Sequence, residues 1–153
     1  MKLLIDGDAF PNLLKPIVSR AVARLKIPAI VVANKKIDIG GSMPIRYEIV
    51  EAGADRADHR IVELTEPGDL VITADIPLAD RIVERNAHAL DHRGTLYTRD
   101  NIKQYLAMRN LMDEIRSTGE TTAGPKPFGP KDAHAFANAL NAFLAKHVSK
   151  ERQ

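Results

Sequence analysis

Six aspartates fall where their type and spacing suit chemistry: Asp6 and Asp8 in IDGD, Asp55 and Asp58 in GADRAD, Asp75 and Asp80 in TADIPLAD. Asp6 closes the apolar run LLID, although aspartate fits β structure poorly and is costly to bury. Asp55 and Asp58 stand three residues apart, so in a helix they share a face. Hard divalent cations such as Mg²⁺ or Mn²⁺ take oxygen ligands, usually one or two carboxylates with water and substrate phosphates. Aspartates converging on one place would hold one or two such ions, to activate a water and stabilise a leaving oxygen in phosphodiester cleavage. Crowded carboxylates repel one another, and without a cation some would take up protons. Plainer readings stand beside this one. Asp75 precedes Ile76-Pro77 and suits a helix N-cap, and Asp55 suits the cap of the helix after it. Asp8 suits a turn. Asp58 and Asp80 suit solvated helix surfaces. Asp6 is the hardest to explain away, because it belongs to the apolar strand itself.

Four further polar residues are candidates for substrate contact. Asn34 ends a second apolar run, PAIVVAN. Arg93 in DHRG follows a strand end, where it would reach phosphate or simply hold a turn. Arg109 lies on a helix face with Tyr105, Leu106 and Met112, where an arginine snorkels or pairs with a carboxylate. Lys126 sits in the loop GETTAGPKPFGP (119–130), with Thr121, Thr122 and Gly124, as a phosphate cradle, a lid or an inert connector. The histidines show no paired ligand spacing, and His59 beside Asp58 reads as a surface residue. Neither GxGxxG nor GxxxxGK[ST] occurs, so no nucleotide-binding loop is indicated.

The elements that must position these residues alternate along the chain. KLLID (2–6), PAIVVAN (28–34) and LVITA (70–74) are continuous apolar runs that read as buried strands. RYEIVE (46–51) and HALD (88–91) read as weaker strands. Apolar residues at helical spacing mark helices after residue 13, over 55–65, over 76–86, over 100–117 and over 131–148. Pro16 and Pro77 stand near two helix starts, where a missing N–H is tolerated. Alternating strands and helices predict a three-layer α/β/α Rossmann-like sandwich with a mainly parallel sheet and C-terminal helices. The expected organisation is one domain over 1–150 with a short tail at 151–153. In such sheets ligands bind beyond the carboxyl ends of the strands, which is where Asp6, Asn34, Asp75 and Asp91 fall.

Composition narrows the class. The 153 residues are 44% hydrophobic and 27% charged, with no cysteine and a net charge of +2. Disulfide and thiolate chemistry are excluded. No apolar run is long enough for a membrane span, and charge interrupts MKLLIDGD too soon for a signal peptide. A cytoplasmic location is the expectation. Charge is uneven: residues 47–92 carry four Lys/Arg against eleven Asp/Glu, between two net-basic segments. An acidic middle between basic ends suits an enzyme acting on a phosphate polymer.

DGDAFPN, VVANK, GADRADHRIV, GDLVITADIPLADRIVERNAHALDHRG, LAMRNLMDEIR and TAGPKPFGPKDAHAFANAL together resemble the YaiI/YqxD family of bacterial proteins over nearly the whole chain. That family is functionally uncharacterised and is similar to the PIN-like and NYN group, metal-dependent ribonucleases with a Rossmann-like sandwich. By position, the resemblance implies metal-site roles for Asp6, Asp8, Asp55, Asp58 and Asp75, and more loosely for Asp80. The chain departs from the family's pattern at Phe10, where cysteine is common, at DHRG in place of NPRG, and at TAGP in place of TGGP. The expected activity is metal-dependent hydrolysis of RNA or single-stranded nucleic acid, with Asp6, Asp55 and Asp75 as principal groups. Two alternatives remain at this level. One is a haloacid-dehalogenase-like phosphatase with Asp6 as nucleophile, against which stand Ala9-Phe10 and Asn34. The other is a non-catalytic RNA- or protein-binding module. A homodimer is compatible with either.

Overall fold

Backbone hydrogen bonding turns the apolar runs into a six-stranded sheet. The computed structural model describes residues 1–41, 44–53, 55–120, 124 and 126–152. The loop residues Thr121, Thr122 and Ala123 lie outside them. The strands are β1 (Leu3–Asp6), β2 (Ala29–Ala33), β3 (Arg46–Ile49), β4 (Leu70–Ile72), β5 (His88–Leu90) and β6 (Leu96–Tyr97). The helices are α1 (Lys15–Leu25), α2 (Arg56–Leu64), α3 (Ile76–Glu84), α4 (Ile102–Ser117) and α5 (Pro130–Arg152). The order across the sheet is β3-β2-β1-β4-β5-β6. The first five strands run parallel, and β6 closes the edge antiparallel to β5.

Side chains alternate across each strand, and both faces are apolar. Leu3 and Ile5 of β1 face Val18, Val22, Phe136 and Leu140 of α1 and α5. Leu4 of the same strand joins Ile61, Leu78 and Ile82 of α2 and α3 on the other face. The result is the three-layer Rossmann-like sandwich expected from the sequence. Burying a Leu or Ile side chain contributes roughly 1.5–3 kcal/mol, so these two layers fix the sheet firmly.

Boundaries shift by a residue or two where caps intervene, and α5 runs to Arg152, past the 148 expected. The strand β6 has no counterpart in the sequence pattern. Two residues are too short to show a period, and the hairpin is held by polar contacts. Asp91 Oδ1 accepts from the Arg93 and Thr95 N–H groups at 2.9 and 2.8 Å. Gly94, with φ +95°, sits so close to α5 that a Cβ there would meet the Ala135 carbonyl at 2.8 Å.

The order 3-2-1-4-5 reverses direction between β1 and β4. From β1 the chain winds outward through β2 to β3, then crosses to β4 on the other side. That reversal opens a crevice beyond the carboxyl ends of β1 and β4.

Candidate carboxylate site

The crevice at the β1–β4 reversal is a cleft of about 340 Å³ lined by Asp6, Asp8, Ala9, Asp58, Ala74, Asp75 and His92. Four of the six aspartates meet there, each delivered by a different local device.

Asp6 is the last residue of β1 and is 8% exposed. Its Oδ2 accepts from the Thr73 hydroxyl at 2.8 Å, and its Oδ1 accepts from the Asp8 N–H at 3.3 Å. Gly7 must be glycine: a Cβ there would lie 2.9 Å from Ala33 Cβ, against the neighbouring strand β2. Its N–H continues the ladder to the Val32 carbonyl at 2.8 Å, which holds the IDGD turn against β2. Asp8 Oδ1 accepts from the Asn34 N–H at 2.9 Å. Asn34 thus contributes through its backbone, while its side-chain Oδ1 is buried without a partner among the described residues.

Asp75 is the N-cap of α3, and its Oδ1 accepts from the Leu78 N–H at 3.0 Å. One cap bond uses one oxygen, so capping and cleft lining are compatible. Asp58 projects from the first turn of α2, within hydrogen-bonding reach of Asp75. Asp55 precedes α2 as its N-cap residue, in a left-handed conformation (φ +62°) and with no side-chain cap bond. It is exposed and does not line the cleft. The helix therefore separates two residues that sequence spacing treats alike: Asp58 faces the cleft wall, and Asp55 stands outside it.

Electrostatics follow from this crowding. Burial raises the Asp6 carboxyl to about 6, and the neighbouring Asp8 and Asp75 charges push the same way against the Thr73 and Asp8 hydrogen bonds. Burial raises Asp58 to about 7, and Asp75, Asp6 and Asp55 add repulsion. No lysine or arginine forms an ion pair with Asp6, Asp8, Asp58 or Asp75 among the described residues. Nor do any three His, Cys, Asp or Glu side chains there converge closely enough to cage a metal ion as they stand. The donor set fits a largely hydrated cation held by one or two carboxylates, which is how Mg²⁺ is usually bound.

Two site residues carried no sequence signal. Thr73 is fully buried, donates to Asp6 and accepts from the Asp75 N–H at 3.0 Å, joining β1 to β4. In LVITA it passes for an ordinary strand residue. His92 lines the cleft on the β5–β6 turn, 8% exposed, with its ring edge-on to Phe10 at 5.5 Å. Burial holds it below the usual histidine range, and its Nε2 is buried without a partner among the described residues.

The basic candidates are placed differently. Arg93 pairs with Asp132 of α5 at 2.9 Å and donates to the Lys126 carbonyl at 2.6 Å. Its guanidinium lies 5.5 Å from the Phe128 ring centroid. It clamps the 126–128 stretch to the β5–β6 turn, leaving the Lys126 side chain exposed. Arg109 pairs with Asp113 one turn along α4 at 3.2 Å, and Asp80 is taken by Lys103 at 2.7 Å; neither lines the cleft. His59 is exposed and its Nδ1 contacts Arg81 at 3.2 Å.

Fold and site together define a class: an open, mainly parallel α/β sandwich with a carboxylate-lined cleft at its topological reversal. The chain belongs to the family described as Uncharacterized BCR, YaiI/YqxD family, whose model matches residues 4–146. It is similar to proteins named UPF0178 protein from several bacteria. The one from Sulfurovum sp. (strain NBC37-1) is 69% identical over 147 residues, covering 96% of this chain and 99% of that one. The one from Sulfurimonas denitrificans is 66% identical over 150 residues, covering 98% and 99%. At greater distance, one from Burkholderia cenocepacia (strain HI2424) is 47% identical over 150 residues, covering 98% and 100%. No solved structure matches the chain. Among the described residues, no helix is long and apolar enough to cross a membrane.

Proposed function

We propose that this protein is a cytoplasmic, metal-dependent phosphodiesterase acting on RNA or single-stranded nucleic acid at the β1–β4 cleft. One observation carries the reading: Asp6, Asp8, Asp58 and Asp75 line one cleft with no ion-pairing cation among the described residues, and burial and mutual repulsion hold two of them well above the ordinary carboxylate range. Perturbed titratable groups gathered in a cleft mark functional sites more often than chance. The family's resemblance to PIN-like and NYN nucleases supports the same reaction class.

Asp6 and Asp75 would hold a Mg²⁺ or Mn²⁺ ion, with Asp58 and Asp8 holding its waters. When bound, such an ion supplies Lewis acidity toward a phosphoryl oxygen and lowers the pKa of bound water. The chain's own residues do the rest. Thr73 fixes the Asp6 carboxylate by a hydrogen bond to one oxygen. The Asn34 N–H and the Gly7 turn fix Asp8. The Leu78 N–H orients Asp75. Asp58, raised to about 7 by burial and by the Asp75 charge, would in its ionised form accept a proton from an attacking water. Asp55 adds negative charge outside the cleft, which raises Asp58, and stands as an outer group. Lys126 is exposed beside the Arg93 clamp.

The test is cleavage of end-labelled single-stranded RNA with Mn²⁺, with Mg²⁺ and with chelator, wild type beside Asp6→Asn/Asp75→Asn. Metal-dependent cleavage by the wild type, reduced at least about 100-fold in the folded double variant, is expected from groups acting in the transition state. Cleavage that persists in the variant contradicts the assignment.

A further inference from the structure

Unpaired lysines flank the carboxylate cleft on the same edge of the sheet. Many cations of this chain are engaged: Arg56, Arg60, Arg93 and Lys103 each lie 2.7 to 3.5 Å from a carboxylate. Lys35, Lys36 and Lys126 are not. All three are exposed, and none forms an ion pair or a side-chain hydrogen bond among the described residues.

Their places follow from the topology. Lys35 and Lys36 come directly after Asn34, whose N–H donates to Asp8 Oδ1 at 2.9 Å. The chain leaves the sheet there, at the carboxyl end of β2, the neighbour of β1. Two adjacent lysines thus stand beside a cleft carboxylate that they do not neutralise. Lys126 stands on the other side. Its carbonyl accepts from Arg93 at 2.6 Å, and Arg93 follows His92 of the cleft wall. In the strand order β2 and β5 flank the β1–β4 pair, so their ends are three strand spacings apart, roughly 14 Å. The cleft carboxylates lie between.

This arrangement has a chemical consequence. Carboxylates repel a polyanion, so a phosphate polymer crosses them only where fixed positive charge draws it in from either side. A lysine ammonium binds phosphate as a point charge, without the fixed geometry of a guanidinium. It therefore tracks a backbone without reading its sequence. A span of roughly 14 Å suits the ~4–16 nucleotides that small single-strand sites cover.

We propose that Lys35 and Lys36, with Lys126 across the cleft, form a phosphate rail on which a single-stranded nucleic acid crosses the carboxylate site. The inference rests on the reading of that cleft as a nucleic-acid site and adds the residues that hold the strand.

The test is fluorescence anisotropy of a labelled oligouridylate in chelator over a series of NaCl concentrations, so that binding is read without cleavage. Each phosphate neutralised on a single strand contributes about −0.7 to the slope of log K against log salt. Lys35→Gln/Lys36→Gln should flatten the slope by about 1.4, and Lys126→Gln by about 0.7. These side chains are exposed and unpaired, so circular dichroism and melting temperature should not move. Lys146→Gln is the control. That exposed lysine lies near His88 at the opposite edge, and its loss should leave the slope unchanged. At about pH 8, above the Asp6 and Asp58 values, Asp6→Asn/Asp75→Asn should bind more tightly than wild type, because it removes charge from under the strand. A slope that Lys35→Gln/Lys36→Gln leaves unchanged overturns the rail, as does an affinity that Asp6→Asn/Asp75→Asn leaves unchanged. The expected slopes without any metal-dependent cleavage would keep the rail and retire the hydrolytic reading. Cleavage with unaltered slopes would do the reverse.

Discussion

Two buried aspartates stand at opposite ends of the same sheet, and their surroundings are opposite in kind. Asp69, 3% exposed, leads into β4 at the amino-terminal edge. Lys2 meets it with both its ammonium, at 2.6 Å, and its backbone N–H, at 3.0 Å, while the Glu66 N–H donates at 2.8 Å. Asp6, 8% exposed, ends β1 at the carboxyl-terminal edge with one hydroxyl, one long backbone contact and no cation among the described residues. The fold can neutralise a buried carboxylate, and at Asp69 it does. At Asp6 it instead brings further carboxylates. A buried charge without a counter-ion is costly to keep, and such costs persist where function requires them.

The comparison sets an order of effects. Asp69→Ala takes from the Lys2 ammonium, four-fifths buried, its 2.6 Å partner and leaves it the long contact to Glu66 at 3.9 Å. Chemical denaturation should show a loss of about 3 kcal/mol, with no dependence on divalent cations. Thr73→Val removes a donor from Asp6 and an acceptor from the Asp75 N–H. The same measurement should show a smaller loss, about 1–3 kcal/mol, from polar groups left unsatisfied. Under the proposed function, metal-dependent RNA cleavage should fall with it, because Asp6 is no longer fixed.

The same cleft sets a pH dependence. Asp6 and Asp58 have folded-state values near 6 and 7, above the ordinary carboxylate value, so the folded chain binds more protons than the unfolded one between those limits. Stability therefore falls as pH rises. In chelator, unfolding free energy should decline from about pH 5 to about pH 8. Asp58→Asn should flatten that decline. A slope of the opposite sign would mean that the cleft carboxylates are neutralised by something other than protons.

The sequence disclosed the frame more fully than the site. Continuous apolar runs at β1, β2 and β4 and helical spacing in α1 and α3 are strong periodic signals, and the sheet order follows once they are parallel. The hairpin β5–β6 escaped because two-residue strands have no period. Asp6, Asp8 and Asp75 stand at strand ends, where topology makes them converge. Asp58 and Asp55 were indistinguishable by spacing, since only the entry angle of α2 decides which one faces the cleft. Thr73 and His92 were invisible because their roles rest on contacts across strands. The reading of Arg93 as phosphate-binding or turn-holding divides in the structure: its guanidinium is engaged with Asp132 and the Lys126 carbonyl, the turn-holding arrangement. Arg109 likewise makes a pair within its own helix.

The central claim is that the C-terminal edge is built for a cation and the N-terminal edge is not. Thermal unfolding of the metal-free protein, titrated with Mn²⁺, tests it most directly. Binding to the folded state alone must raise the melting temperature as Mn²⁺ increases. The account predicts that rise for the wild type and its loss in Asp6→Asn. A wild type indifferent to Mn²⁺, or an Asp6→Asn variant that rises equally, would contradict it.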